Sequence, residues 1–202
     1  MKLLFSSALH LTLFLLVFTS ISAEAARFNR VVIDPGHGGK DKGAIWGGVR
    51  ESDLNLKVAK KVENLLRAHG LKVTMTRRSD KFIALTHRAA LANRYSDTIF
   101  VSIHFNASTH TYVRGVETFY ASSKGKKLAQ YIQTSMRNKL RLKDRKIRLG
   151  KQYAVLNKTR GTAVLVECGY ISNSYERSLC NRSWYQSLAA SAIVEGILRY
   201  NK

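Results

Sequence analysis

Cysteine, proline and acidic residues are all scarce in this chain. Cys168 and Cys180 are the only cysteines among 202 residues. They have no companion histidine, so they make a poor zinc signature. Spacing alone leaves a disulfide and two free thiols equally open, because a bridge needs a Cα separation that sequence does not supply. Pro35 is the single proline, and without a Ser/Pro-rich tract there is no sign of a long linker. No internal repeat of solenoid or wall-binding-module length is present. Acidic residues number 13 against 34 lysines and arginines, giving a formal charge of +21 and a pI near 10.3. Such a charge says nothing about fold, but it predicts attraction to polyanions: nucleic acid, anionic lipid or anionic wall polymer.

The amino terminus narrows that choice. Lys2 is followed by a compact apolar run, Leu11 to Phe18, that is too short for a membrane span. Ala23-Glu24-Ala25 then places small residues where a leader is cut. Residues 1–25 therefore read as a cleavable secretory signal and 26–202 as one mature domain. An exported basic chain, in a periplasm or cell wall, meets wall and membrane anions before nucleic acid. No nucleic-acid partner is expected.

With 45% hydrophobic residues the chain can build one sizeable core. Val31-Val32-Ile33 reads as a short buried strand. Asp34-Pro35-Gly36 stops it and leaves His37 among glycines at its carboxyl end. Leu54, Val58, Val62, Leu65 and Leu66 form a helical stripe, with Ser52 as its predicted cap and Gly70 as its stop. Glu51 falls just before that helix or in its first turn. Leu71–Met75 reads as a strand and Leu85–Tyr95 as a helix. Thr98–Ile103 is a buried strand ending in His104, and Gly115–Tyr120 a further strand. Leu128 to Met136 carries a helical pattern. Ala163–Val166 is a buried strand ending in Glu167, and burying an unpaired carboxylate is costly, so either a cation is near or the strand has reached solvent. Ser183 and Gln186 suggest a capping box for the last helix. Strands alternating with helices predict a single layered α/β domain with a largely parallel twisted sheet and helices on both faces.

Three strands thus end in His37, His104 and Glu167, and Glu51 can reach the same face. Two imidazoles and a carboxylate are a familiar zinc set that leaves a fourth position for water, and a second carboxylate can take that water's proton. Separately, the most basic stretch, 137–151, carries eight cations against Asp144 alone. Charge runs are usually solvated surface, but this one is also a plausible contact for an anionic wall or membrane surface.

The segments VVIDPGHGGKDKGA (31–44), ESDLNL (51–56), TRRSDKFIALTHRAALAN (76–93), SIHFNA (102–107), GVETFY (115–120) and AVLVECGYISN (163–173) resemble the zinc-dependent N-acetylmuramoyl-L-alanine amidases, the peptidoglycan amidases of cell separation. The resemblance runs in family order over nearly all of the mature chain. It implies Zn2+ held by His37, Glu51 and His104, with Glu167 as the catalytic carboxylate. It also implies site-shaping roles for Asp34 and Asn106. The implied reaction is hydrolysis of the amide between the lactyl group of N-acetylmuramic acid and L-alanine of the stem peptide. Thr162 departs from the family's usual proline without touching the chemistry. Some relatives carry an inhibitory helix near the GVETFY strand. Ala121-Ser122-Ser123 leaves no room for one, so peptidoglycan or muropeptide cleavage by a monomer, without an obligatory activator protein, is expected.

Two rivals fare worse. A phosphate loop around Gly36–Gly43 lacks the required Ser or Thr after Gly39-Lys40, where Asp41 stands. A non-catalytic basic wall-binding protein on the same fold requires a lost ligand or base, and all four positions are occupied.

Overall fold

The computed structural model describes residues 28–202, so the predicted signal sequence, 1–25, lies outside the described residues. In chain order the elements are β1 (Arg30–Pro35), β2 (Ile45–Trp46), β3 (Val49–Arg50), α1 (Glu51–Ala68), β4 (Lys72–Met75), α2 (Leu85–Ala92), β5 (Thr98–Asn106) and β6 (Val116–Tyr120). They are followed by α3 (Ser123–Leu140), β7 (Asp144–Leu149), α4 (Ala154–Asn157), β8 (Thr162–Tyr170), α5 (Ser174–Cys180) and α6 (Ser183–Tyr200).

Six strands form one sheet in the order β4-β1-β5-β8-β6-β7, and β2 pairs with β3 in a separate hairpin. Every pairing in the main sheet is parallel except that of β6 with β8. The sheet is therefore largely parallel, and it is covered on both sides. Side-chain alternation sorts each central strand onto two faces. Val31, Ile33, Val101, Ile103, Val164 and Val166 join the large core under α1, α3 and α6. Val32, Phe100, Ala163 and Leu165 face a smaller core, completed by Ala92 of α2 and by Val155 and Leu156 of α4.

That inequality positions the site. The short helices α2 and α4 cover only part of their face and leave the carboxyl ends of β1, β5 and β8 open. Residues continuing the same alternation there are Asp34, His104 and Glu167. In open α/β sheets this end is where ligands bind.

Both predicted helix caps are overturned. Helix α1 starts at Glu51, so Ser52 lies inside it, and no side chain caps it. Loop carbonyls do the work instead: Glu51 N–H donates to Ala44 O at 2.9 Å and Ser52 N–H to Lys42 O at 3.1 Å. Likewise α6 begins at Ser183 with Arg182 as its uncapped N-cap, and the Gln186 amide donates to Cys180 O at 3.0 Å rather than reaching back. The stop at Gly70 does match, since its φ of 79° ends the helix. The basic stretch is not uniform surface: it closes α3 and then forms the edge strand β7, where lysine and arginine discourage pairing with another chain. Cys168 and Cys180 are buried free thiols, and burial raises the pKa of both. No helix among the described residues is long and apolar enough to cross a membrane.

Candidate metal centre and active site

Four loops and strand ends converge. After β1 the chain turns sharply, and His37 adopts a left-handed φ of 59° that aims its ring back over the strand ends. Gly36 is required beside it: a Cβ there would collide with the His104 imidazole. Glu51, the first residue of α1, reaches across from the helix amino terminus. Its Oε1 lies 2.8 Å from His104 Nδ1 and 3.2 Å from His37 Nε2. His37, Glu51 and His104 each offer one ligand atom, and these atoms all lie within 4.8 Å of one another. Residues separated by up to 67 positions in the chain thus share a point in space.

Glu167 stands beside them. Its strand pairs with β5 so that Glu167 and His104 are register partners, and register partners present their side chains to the same face of the sheet. Glu167 is 6% exposed, and its Oε2 has no hydrogen-bond partner among the described residues. A buried polar atom left unpaired is costly unless something comes to meet it. Here it borders a cavity of about 350 Å³ whose lining includes His37, Glu51, His104, Asn106 and Tyr153. A larger cleft of about 870 Å³ opens at the opposite end of the strands, near Thr98, Lys124 and Thr162. It holds neither of the site histidines, so size does not locate the chemistry.

The electrostatics follow from the geometry. Burial disfavours charge on the His37 ring, but hydrogen bonds to Glu51 and Asp41 outweigh it and raise its pKa to about 8. Burial likewise opposes the Glu51 carboxylate, yet the two imidazoles hold its pKa well below the ordinary carboxylate range. Glu167 is pushed the other way, by burial first and then by the Glu51 and Glu117 carboxylates. Burial and the nearby Glu167 raise Tyr153 to about 12, which keeps its phenol protonated as a donor at the cavity wall. Two imidazoles and an anionic carboxylate, facing one open side, fit a divalent cation.

Several residues that spacing did not reveal support this centre. Asp41 Oδ1 lies 2.8 Å from His37 Nδ1, leaving Nε2, which faces Glu51, as the ring's ligand atom. Such a carboxylate behind a ligand histidine fixes its tautomer and orientation. A carboxylate four positions after His37 in a glycine-rich loop was the available signal. Asn55 donates to Glu51 Oε1 at 3.3 Å. Glu117, in register with Glu167, accepts from Asn106 at 3.0 Å and from Tyr170 at 2.5 Å. Asn106 therefore lines the cavity from a fixed position, and Asp34, also in the lining, is buried and held by bonds it accepts from Arg88, Ser102 and Thr76 at 2.6–2.8 Å.

Donors gathered at the open end of a sheet, with an uncommitted carboxylate alongside, are the equipment of a metal-assisted hydrolase on a layered α/β fold. Comparison with known families narrows the class. Residues 31–199 match the Amidase_3 family, N-acetylmuramoyl-L-alanine amidase, and the chain belongs to it. It is 36% identical over 187 residues to the germination-specific N-acetylmuramoyl-L-alanine amidase of Bacillus subtilis (strain 168), across 84% of this chain and 78% of that relative. The crystal structure of an N-acetylmuramoyl-L-alanine amidase from Clostridium difficile 630 superposes with a TM-score of 0.82 at 37% identity, covering 87% of this chain and 97% of that one. The catalytic domain of CwlV, an amidase from Bacillus (Paenibacillus) polymyxa var. colistinus, gives the same TM-score of 0.82 at 37% identity, covering 86% and 98%. The chain is thus a peptidoglycan amidase, a hydrolase of the bond between N-acetylmuramic acid and L-alanine.

Proposed function

We propose that this amidase is a zinc enzyme in which His37, Glu51 and His104 hold the ion and Glu167 is the catalytic base. The observation that carries this reading is the pairing of a three-donor cluster within 4.8 Å with a buried Glu167 oxygen on the neighbouring strand that has no partner among the described residues. Zinc suits a mixed nitrogen and oxygen set with an open position. When bound, it lowers the pKa of water and polarises the scissile carbonyl.

The chain's own residues do the rest. Glu167 accepts a proton from the attacking water as the water oxygen adds to the lactyl carbonyl carbon. Glu167 then passes that proton to the alanine nitrogen as the C–N bond breaks. The products are a lactyl carboxylate on muramic acid and a stem peptide with a free amine. Asp41 holds the His37 ring in place, and the protonated Tyr153 is available to orient substrate oxygen at the cavity wall.

The biological setting we infer is cell-wall remodelling or cell separation outside the cytoplasm, in a periplasm or wall, after removal of residues 1–25. The mature domain, 26–202, acts as a monomer with no obligatory activator. Stretch 137–151 rests on anionic wall or membrane surface, an attraction that weakens with salt. Mass spectrometry of purified muropeptides incubated with the protein tests the central reading. Release of free stem peptide that stops with chelator and returns with zinc is expected. Cleavage that is indifferent to chelator overturns the zinc assignment.

A further inference from the structure

The donor cluster draws His37 from the β1 turn and Glu51 from the start of α1. Backbone bonds from Glu51 and Ser52 to Ala44 and Lys42 tie the start of α1 to the loop after His37, and a second link runs to the β1 turn itself. Beneath the turn lies Arg77, 4% exposed. Its Nε donates to Pro35 O at 3.0 Å. Nη2 donates both to Gly36 O and to Ser52 O, at 2.8 Å each, and Nη1 donates to Ser79 O at 3.0 Å. One guanidinium therefore holds the carbonyls just before His37 together with the carbonyl just after Glu51. Asn55, fully buried, repeats the link, donating to Gly36 O at 3.1 Å and to Glu51 Oε1 at 3.3 Å. The turn is packed tightly against this arginine and the neighbouring chain: a Cβ on Gly38 would stand 2.5 Å from Lys81 O, 2.8 Å from Arg77 Nε and 2.9 Å from its Cδ.

We infer that Arg77, assisted by Asn55, is a positioning residue that sets the separation of His37 and Glu51 and so tunes metal affinity. Its closest polar contacts are backbone carbonyls, whose positions define the turn. Arginine alone has donors enough, in a rigid planar fork, to reach four carbonyls at once. Lysine keeps the charge but offers a single nitrogen on a flexible stem. This inference rests on the proposed metal ligands.

The test is zinc affinity, measured by competition with a chromophoric chelator, alongside thermal stability. Supporting partners behind metal ligands are worth about ten- to a hundredfold in affinity. Arg77→Lys is expected to bind zinc about ten- to a hundredfold more weakly, and its cobalt-substituted form to show an altered visible absorption band. Leu66→Ala is the control: it lies about 22 Å along α1 from Glu51 and is fully buried in the large core. It is expected to lower the melting temperature and leave zinc affinity unchanged. If Arg77→Lys fails to fold, Asn55→Ala decides by the same measurement. Wild-type affinity in the variant that folds, or an equal loss in Leu66→Ala, overturns the inference. A wild-type protein that binds no zinc would instead refute the ligand assignment beneath it, so the two failures are distinguishable.

Discussion

His104 and Glu167 occupy matching positions on adjacent parallel strands, so one backbone pairing places a candidate ligand next to a candidate base. Because the β5·β8 ladder is buried, their separation is held by the sheet rather than by a loop. Glu167→Gln keeps the side chain's shape and removes its basicity. The expected result is retained zinc with hydrolysis reduced about 10²- to 10⁴-fold, the usual worth of a general base. Turnover of a purified muropeptide, with zinc content measured in parallel, checks it. Wild-type turnover would mean that another group takes the proton.

His37→Ala and His104→Ala each remove one of the three donors. Both variants are expected to fold and to emerge from purification with little zinc. Elemental analysis reads this directly, and full occupancy in both variants would rule out the assigned ligands.

Metal uptake by the metal-free protein is expected to depend on pH through His37, whose pKa is raised to about 8. Below that value the ring carries a proton and has no lone pair for a metal, so binding must displace the proton. Apparent affinity should fall by about tenfold per pH unit on going down from 8, and level off above it. Asp41→Asn weakens the hold on that proton and should move the bend to lower pH. Chelator competition between about pH 6 and 9 brackets this bend, and a flat profile would show that His37 does not bind the metal.

Glu117→Gln should shift the acidic limb of the pH–rate profile downward. Glu117 is one of the two carboxylates that, after burial itself, raise the Glu167 pKa. Removing its charge makes the Glu167 anion easier to form. An upward shift, or none, would show that the limb belongs to another group.

Arg88 and Asp34 form a buried ion pair at 2.8 Å, with side chains 2% and 1% exposed. Arg88→Met leaves the carboxylate without its counter-charge. Breaking such a pair typically costs about 3–5 kcal/mol, which denaturant unfolding would register as a lower midpoint. A midpoint equal to wild type would show that Ser102 and Thr76 suffice to hold Asp34.

The strands leading to His37, His104 and Glu167 were legible from sequence because a short β-branched apolar run marks a buried strand, but two of their ends were not: β5 runs on to Asn106, and β8 stays buried through Tyr170, three residues beyond Glu167. The α1 and α6 stripes were legible for a similar reason, since helical periodicity survives over many turns. The caps were not, because their donors are satisfied by distant or backbone partners: Lys42 and Ala44 carbonyls stand in for a Ser52 hydroxyl. Strand β7 was hidden as well, since its lysines and arginines mask the pattern of an edge strand. Asp41, Asn55, Arg77 and Glu117 are ordinary polar residues until the chain folds around them.

Sequence by itself determined the kind of groups available: two strand-end imidazoles, two carboxylates, a strong positive charge and the alternation of strands with helices. Tertiary structure alone decided which atoms meet. Strand order brings β1, β5 and β8 side by side, the thin α2 and α4 layer leaves their ends open, and the buried Arg77 guanidinium bonds the β1 turn to the start of α1. Those are relations between segments far apart in the chain, set by long-range packing and hydrogen bonding that no local pattern encodes.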